Sequence, residues 1–124
     1  MIYTSYFANA IKLDKNKYLP VGITRFPPKW FVGHNIEIVA PSKELLFRWK
    51  SKEINEDMYK AEYIDYLESN KEQIISYFQM LNHPYEKDIV LCCYEKSEDF
   101  CHRYILSTWL SQTMGLQIKE IKIK

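Results

Sequence analysis

Apolar and polar positions change their period several times along the chain, and each change predicts a new element. Short apolar stretches bounded by turn residues predict strands at residues 2–7, 19–25 and 36–39. Residues 88–94 form a continuous apolar run, which is typical of a central strand covered on both faces. Residues 116–123 alternate between apolar and polar side chains, and their lysines predict a protected edge strand.

A period of three to four residues predicts the helices. Ser42 is the predicted N-cap of a short helix that continues to Lys50. The longest helical pattern covers residues 55–81, but its apolar stripe lapses at residues 69–71, which predicts two helices or a kink. The stripe consists of Met58, Tyr59, Tyr63, Tyr66, Leu67, Ile74, Ile75, Phe78 and Leu81.

A last helix follows the buried strand directly. Residues 100–114 have a helical period, and Gly115 follows as the predicted C-terminal cap. Strands that alternate with helices in this way indicate an α/β sandwich with a mostly parallel central sheet flanked by helices. The chain has 124 residues, so we expect a single α/β domain over residues 1–124, with a core that needs no disulfide or metal.

Charge and composition narrow the function classes. The chain has 17 Lys and Arg against 16 Asp and Glu, so non-specific nucleic-acid binding, which usually needs a basic excess, is not expected. A local basic patch remains compatible with this balance. No apolar run approaches a membrane span, and residues 1–9 are too polar for a signal peptide, so we expect a cytoplasmic protein without a membrane partner.

The three cysteines, Cys92, Cys93 and Cys101, do not form the pattern of a secreted disulfide framework, so we expect reduced thiols. In a strand, Cys92 and Cys93 would point to opposite faces, which is incompatible with a zinc site that also uses Cys101 and His102. Three glycines are too few for a glycine-rich phosphate loop. We therefore expect no metal and no other cofactor.

The start of the last helix carries the candidate chemistry. In an open parallel sheet, ligands bind at the carboxyl ends of the strands, and a helix N-terminus favours an anion. Arg103 could bind such an anion with its planar guanidinium. His102 could donate a hydrogen bond or transfer a proton, and the helix dipole would lower the pKa of Cys101.

Structural roles for the same residues stay open. Cys101, Ile105 and Trp109 share one helix face at a spacing of four, which is typical of a core-facing stripe. Arg103 would then be solvated or would pair with a nearby acidic residue, Asp99 or Glu98.

Residues 90–103 read VLCCYEKSEDFCHR, and this segment resembles the C-terminal signature of the domain-of-unknown-function family 488. The family's pattern is an apolar strand, Cys-x-Glu, a short loop, Cys-His-Arg and an amphipathic helix. The residues that match it are Cys93, Glu95, Cys101, His102 and Arg103. The resemblance implies an α/β fold and a small cytoplasmic protein of bacteria, archaea or their viruses. It implies no settled activity.

A ligand site follows if the strands that end near Arg25 and Glu95 are parallel neighbours, because both residues would then meet the start of the last helix. Two arginines suit an anionic ligand, and a carboxylate suits ribose hydroxyls or a base edge. We therefore predict Arg25, Arg103 and Lys29 as ligand- or phosphate-binding residues, and Cys101, His102 and Glu95 as candidate catalytic residues. An Arg25–Glu95 salt bridge is the structural alternative.

Three functions fit these residues. The first, which we prefer, is binding of a nucleotide or another small phosphorylated or nucleic-acid-derived ligand at this edge, with or without catalysis. The second is a thiol enzyme with Cys101 as its nucleophile. The third is a protein-binding module, such as a viral or host-defence interaction protein, that uses Trp30, Phe31 and the tyrosine-rich helix face. For Trp30 and Phe31 themselves, a place in the core is the preferred alternative.

Overall fold

The computed structural model describes residues 2–31, 33–82, 87–94 and 102–121, and these form a four-stranded parallel sheet with helices. The strands are β1 (Ile2–Tyr6), β2 (Tyr18–Gly22), β3 (Asp88–Cys93) and β4 (Ile118–Glu120), in the spatial order β2-β3-β1-β4. The helices are α1 (Phe7–Ala10), α2 (Lys43–Lys50), α3 (Glu56–Ser69), α4 (Lys71–Asn82) and α5 (His102–Met114). This architecture confirms the predicted α/β fold with a parallel sheet.

The strand β3 lies at the centre of the core. It pairs with β2 on one side and with β1 on the other, and residues 89–93 are all buried. Successive side chains of a strand point to opposite faces, so Ile89 and Leu91 join the larger core beneath the helices. Val90 and Cys92 join a smaller core on the other face, together with Phe7 of α1. The continuous apolar run of the sequence is explained by this double coverage.

The helical predictions are confirmed in their main features. The Ser42 hydroxyl accepts a hydrogen bond from the Leu45 amide at 3.1 Å and caps α2. The long pattern divides into α3 and α4 around Asn70, where the apolar stripe lapses. Gly115 ends α5 with a positive φ of 66°. Met58 is an exception, because its side chain is exposed rather than part of the buried stripe.

Two local predictions are wrong. Residues 36–39 do not form a strand, because Glu37–Val39 is a turn of 3₁₀ helix and only Asn35 makes an isolated bridge to Gly22. β2 ends at Gly22 instead of residue 25, since the returning chain hydrogen-bonds both the amide and the carbonyl of Gly22. The short helix α1 was not predicted, because four residues are too few to show a helical period.

The Asn35 side chain is hydrogen-bonded to the backbone of the segment that follows β2. Its amide nitrogen donates to the Thr24 carbonyl at 2.7 Å, and its side-chain oxygen accepts from the Thr24 amide at 3.4 Å. We expect Asn35→Ala to lower the free energy of unfolding by about 1–3 kcal/mol, because two backbone groups lose their partner. Urea denaturation measures this change. Asn16→Ala, at an exposed position, is the control and should stay within about 0.5 kcal/mol of the parent. Equal stability of the two variants would contradict the role of Asn35.

No helix in the described ranges is long and apolar enough to cross a lipid bilayer.

Candidate functional site at the carboxyl edge of the sheet

The carboxyl ends of β1, β2 and β3 meet at one edge of the sheet. Gly22 lies opposite Cys92, and Tyr6 lies opposite Cys93, so the three strands end at nearly the same level. The Ile23 amide donates to the Cys92 carbonyl at 3.0 Å and extends this alignment past β2. The condition on which the predicted site depends, that the strands leading to residues 25 and 95 are parallel neighbours, is therefore met.

The predicted site residues are only partly brought together in the described chain. Arg25 donates to the Glu37 carboxylate at 3.0 Å and to the Pro41 carbonyl at 3.3 Å, partners that the sequence did not indicate. Lys29 is exposed in the loop after β2. Of the other four predicted residues, Glu95 and Cys101 lie outside the described residues, and His102 and Arg103 are buried at the start of α5.

Arg103 is completely buried, so the alternative in which this side chain is solvated is wrong. Its Nη2 lies 3.0 Å from Oε2 of Glu120, and its Nε donates to Oε1 at 3.2 Å, which gives a two-point ion pair. Nη1 donates to Sγ of Cys93 at 2.8 Å, and Nη2 also donates to the Tyr104 hydroxyl at 2.8 Å. The helix start is thus joined to β3 and β4 through one guanidinium.

The Glu120 carboxylate completes this buried cluster. Its side chain is 13% exposed, and Oε1 accepts a hydrogen bond from the Thr4 hydroxyl of β1 at 2.5 Å. The Arg103 guanidinium also lies 4.5 Å from the ring centroid of Tyr104. The cluster therefore ties α5 to β1, β3 and β4. Arg103 therefore has a structural role. Its predicted contact with an anionic ligand stays a prediction.

His102 fixes α5 to the end of β2. Its Nε2 lies 2.6 Å from the Ile23 carbonyl, and because a carbonyl only accepts, Nε2 carries the proton. The ring also meets Tyr63 edge-on, with centroids 5.8 Å apart. Burial lowers the pKa of His102 to about 4, and the positive charge of Arg103 acts in the same direction. The imidazole is neutral at pH 7, and its predicted catalytic role stays a prediction.

The described cysteines differ in state. Cys92 is a free buried thiol, and burial raises its pKa to about 12, so it is protonated and unreactive at neutral pH. Cys93 is disulfide-bonded, which differs from the expected reduced thiols. An odd number of cysteines excludes complete pairing but leaves room for one bond. No group of three or more potential metal ligands occurs within the ranges that the structure describes.

Three exposed aromatic side chains at this edge were not identified as a group from the sequence. Phe26, Trp30 and Tyr94 are 62%, 54% and 52% exposed, and we call them the aromatic edge. The buried ring of Phe7 supports two of them, with centroids 6.3 Å from Trp30 and 5.3 Å from Tyr94. The Tyr94 hydroxyl donates to the Phe26 carbonyl at 2.5 Å. Phe31, in contrast, is partly buried against the smaller core, so Trp30 and Phe31 lie in different environments.

One lysine contacts the aromatic edge, and a second is adjacent to it in the sequence. The ammonium of Lys43 is 5.3 Å from the ring centroid of Phe26, and Lys29 immediately precedes Trp30. One feature of the sequence could have indicated this group of rings: Tyr94 is the last residue of the apolar run and lies where the buried strand ends. Exposure of the rings could not be predicted, because apolar residues are normally assigned to the core.

Comparison with known protein families identifies the family of the chain. The family model DUF488-N3a, described as the active DUF488-N3 subclade, matches residues 8–114. No curated protein and no solved structure matches the chain. The matched span includes β2, β3 and all of α5, and therefore most of the edge described above. The chain belongs to the DUF488 family, in its DUF488-N3a subclade.

Proposed function

We propose that the protein binds a nucleotide, or another phosphorylated ligand derived from a nucleic acid, at the carboxyl edge of its sheet. The observation that carries this proposal is the aromatic edge, with Lys29 and Lys43 beside it. Aromatic faces stack on nucleobases, and an ammonium group attracts phosphate. The carboxyl ends of parallel strands are also the usual place for a ligand in an open α/β sheet.

The packing of the exposed rings against a buried side chain favours ligand binding. Phe7 is 2% exposed and is packed against Trp30, Phe31 and Tyr94. Rings that are held before the ligand arrives lose little conformational entropy on binding. Lys29 supplies a further proposed phosphate contact, and Arg25 supplies a weaker one because Glu37 pairs with it. His102 and Arg103 hold α5 against the strands of the sheet.

We propose the cytoplasm of a bacterial or phage-infected cell as the place of action, in line with the family resemblance. A disulfide at Cys93 is compatible with this compartment when it is transient, since the cytoplasm normally keeps thiols reduced.

Tryptophan fluorescence tests the proposal. We expect nucleoside monophosphates to quench the emission of Trp30, and ribose 5-phosphate, which has no base, to quench it far less. Trp30→Ala should weaken nucleotide binding, measured by calorimetry, by about 5- to 100-fold, since one stacking ring is lost. Trp49→Phe is the control, because Trp49 packs against Tyr59 of α3. Unchanged affinity in Trp30→Ala, or no nucleotide binding by the parent, would refute the proposal.

A protein-binding module without enzymatic activity is the second candidate, because the same exposed rings form an apolar surface of the kind found at interfaces. The two functions differ in their need for cations. The double variant Lys29→Ala/Lys43→Ala should weaken nucleotide binding, whereas docking of an apolar protein surface would persist.

A further inference from the structure

We infer that the ligand is a segment of single-stranded nucleic acid, whose consecutive bases stack on Phe26, Tyr94 and Trp30. This inference rests on the proposed function and names its ligand class. It differs from the proposed function in requiring several linked bases instead of one.

The connected arrangement of the rings is the first argument. Tyr94 and Trp30 both contact the same buried ring, Phe7, and Tyr94 is hydrogen-bonded to the backbone of Phe26. The three exposed rings are therefore linked through Phe7 and the Phe26 backbone, in the order Phe26, Tyr94, Trp30, and we refer to them as the row. A mononucleotide has one base and covers one ring, while a strand offers a base to each. Bases in a duplex are stacked on each other and do not reach such rings.

The charges along the row are the second argument. The ammonium of Lys43 lies 5.3 Å from the ring centroid of Phe26, and the exposed Lys29 precedes Trp30 in the loop after β2. A phosphodiester backbone that follows the rings would meet both. Arg25 adds little charge, because Glu37 pairs with it. Stacking thus supplies most of the affinity, which agrees with a net charge of only +1 for the whole chain.

This balance predicts a shallow salt dependence. Two phosphate contacts to single-stranded nucleic acid give a slope of about −1.4 for the logarithm of the association constant against the logarithm of salt concentration. A surface that binds by charge alone would show a steeper slope and no dependence on the aromatic rings.

Fluorescence anisotropy with labelled DNA and RNA strands of about eight nucleotides tests the inference. We expect each single strand to bind at least about 10-fold more tightly than a nucleoside monophosphate or the duplex of the same sequence, since several rings act together. Comparing the affinities for the DNA and the RNA strand shows which nucleic acid the protein prefers. Phe26→Ala and Trp30→Ala should each weaken binding about 5- to 100-fold, and Trp30→Phe should restore most of it. Met80→Ala, at an exposed apolar position of α4, is the matched control.

The outcomes separate this inference from the proposed function. If a monophosphate binds as tightly as the strand and Trp30→Ala weakens both, the single-strand inference fails and the proposed function stands. If neither ligand binds, both fail. If the strand binds with a steep salt slope and Trp30→Ala binds like the parent, charge alone holds it and the inference is overturned. Circular dichroism of each variant confirms that the exposed substitutions leave the fold intact.

Discussion

Replacing Arg103 with alanine is expected to lower the free energy of unfolding by about 3–5 kcal/mol, the usual effect of breaking a buried ion pair. Arg103 is fully buried, and its guanidinium satisfies both oxygens of Glu120. Without it, a carboxylate that is 13% exposed loses the guanidinium that binds both of its oxygens. Urea denaturation at pH 7 measures the loss.

Two further variants show whether the buried charge is responsible. Arg48→Ala breaks an exposed ion pair with Glu62 and should be indistinguishable from the parent. The double variant Arg103→Met/Glu120→Leu removes both charges and should recover most of the stability, because an apolar pair of similar volume leaves no unpaired ion. A double variant as unstable as Arg103→Ala would contradict this explanation.

The same double variant separates the structural role of Arg103 from the predicted ligand role. Arg103→Ala by itself is ambiguous, since a destabilised edge would also bind nucleotide poorly. If the stable double variant binds nucleotide like the parent, Arg103 does not contact the ligand. If it is stable and loses nucleotide binding, the predicted anion contact gains support.

The secondary structure was predictable wherever the side-chain pattern was long enough to show its period. The buried run of β3 and the division between α3 and α4 are examples, since both depend on consecutive positions in the chain. The 3₁₀ turn at Glu37–Val39 was not predictable, because a few apolar residues fit a strand as well as a turn.

The contacts of the candidate site residues were harder to predict from the sequence than their places in the secondary structure. His102 and Arg103 were identified at the helix start, but their partners lie far along the chain, in Ile23 and Glu120. Sequence spacing within one helix cannot predict a contact with another strand. The exposure of Trp30 was equally inaccessible, because it depends on how the loop packs against Phe7. The sequence therefore indicated which side chains carry reactive or charged groups, but it did not indicate which residues those side chains contact in the folded protein.

The stability of the protein is expected to fall by about 3 kcal/mol between pH 6.5 and pH 4 because of His102 alone. Burial lowers the pKa of this imidazole from its ordinary value of 6.5 to about 4. In that window the unfolded chain binds a proton that the folded chain does not, so lowering the pH favours unfolding. Above pH 6.5 both states are neutral at this position, and below pH 4 both are protonated, so the effect is confined to the window.

Urea denaturation of the parent and of His102→Gln across this range isolates the contribution of the imidazole. The glutamine amide can still donate to the Ile23 carbonyl but does not titrate, so acidic residues affect both proteins equally and cancel in the difference. The gap between the two free energies of unfolding should change by about 3 kcal/mol from pH 7 to pH 4, in favour of the variant at low pH. Asn16→Ala, at an exposed position without a titratable side chain, should follow the parent. Parallel curves for the parent and His102→Gln would show that His102 accepts a proton in the folded protein as readily as in the unfolded chain, which its burial against Tyr63 and Ile23 argues against.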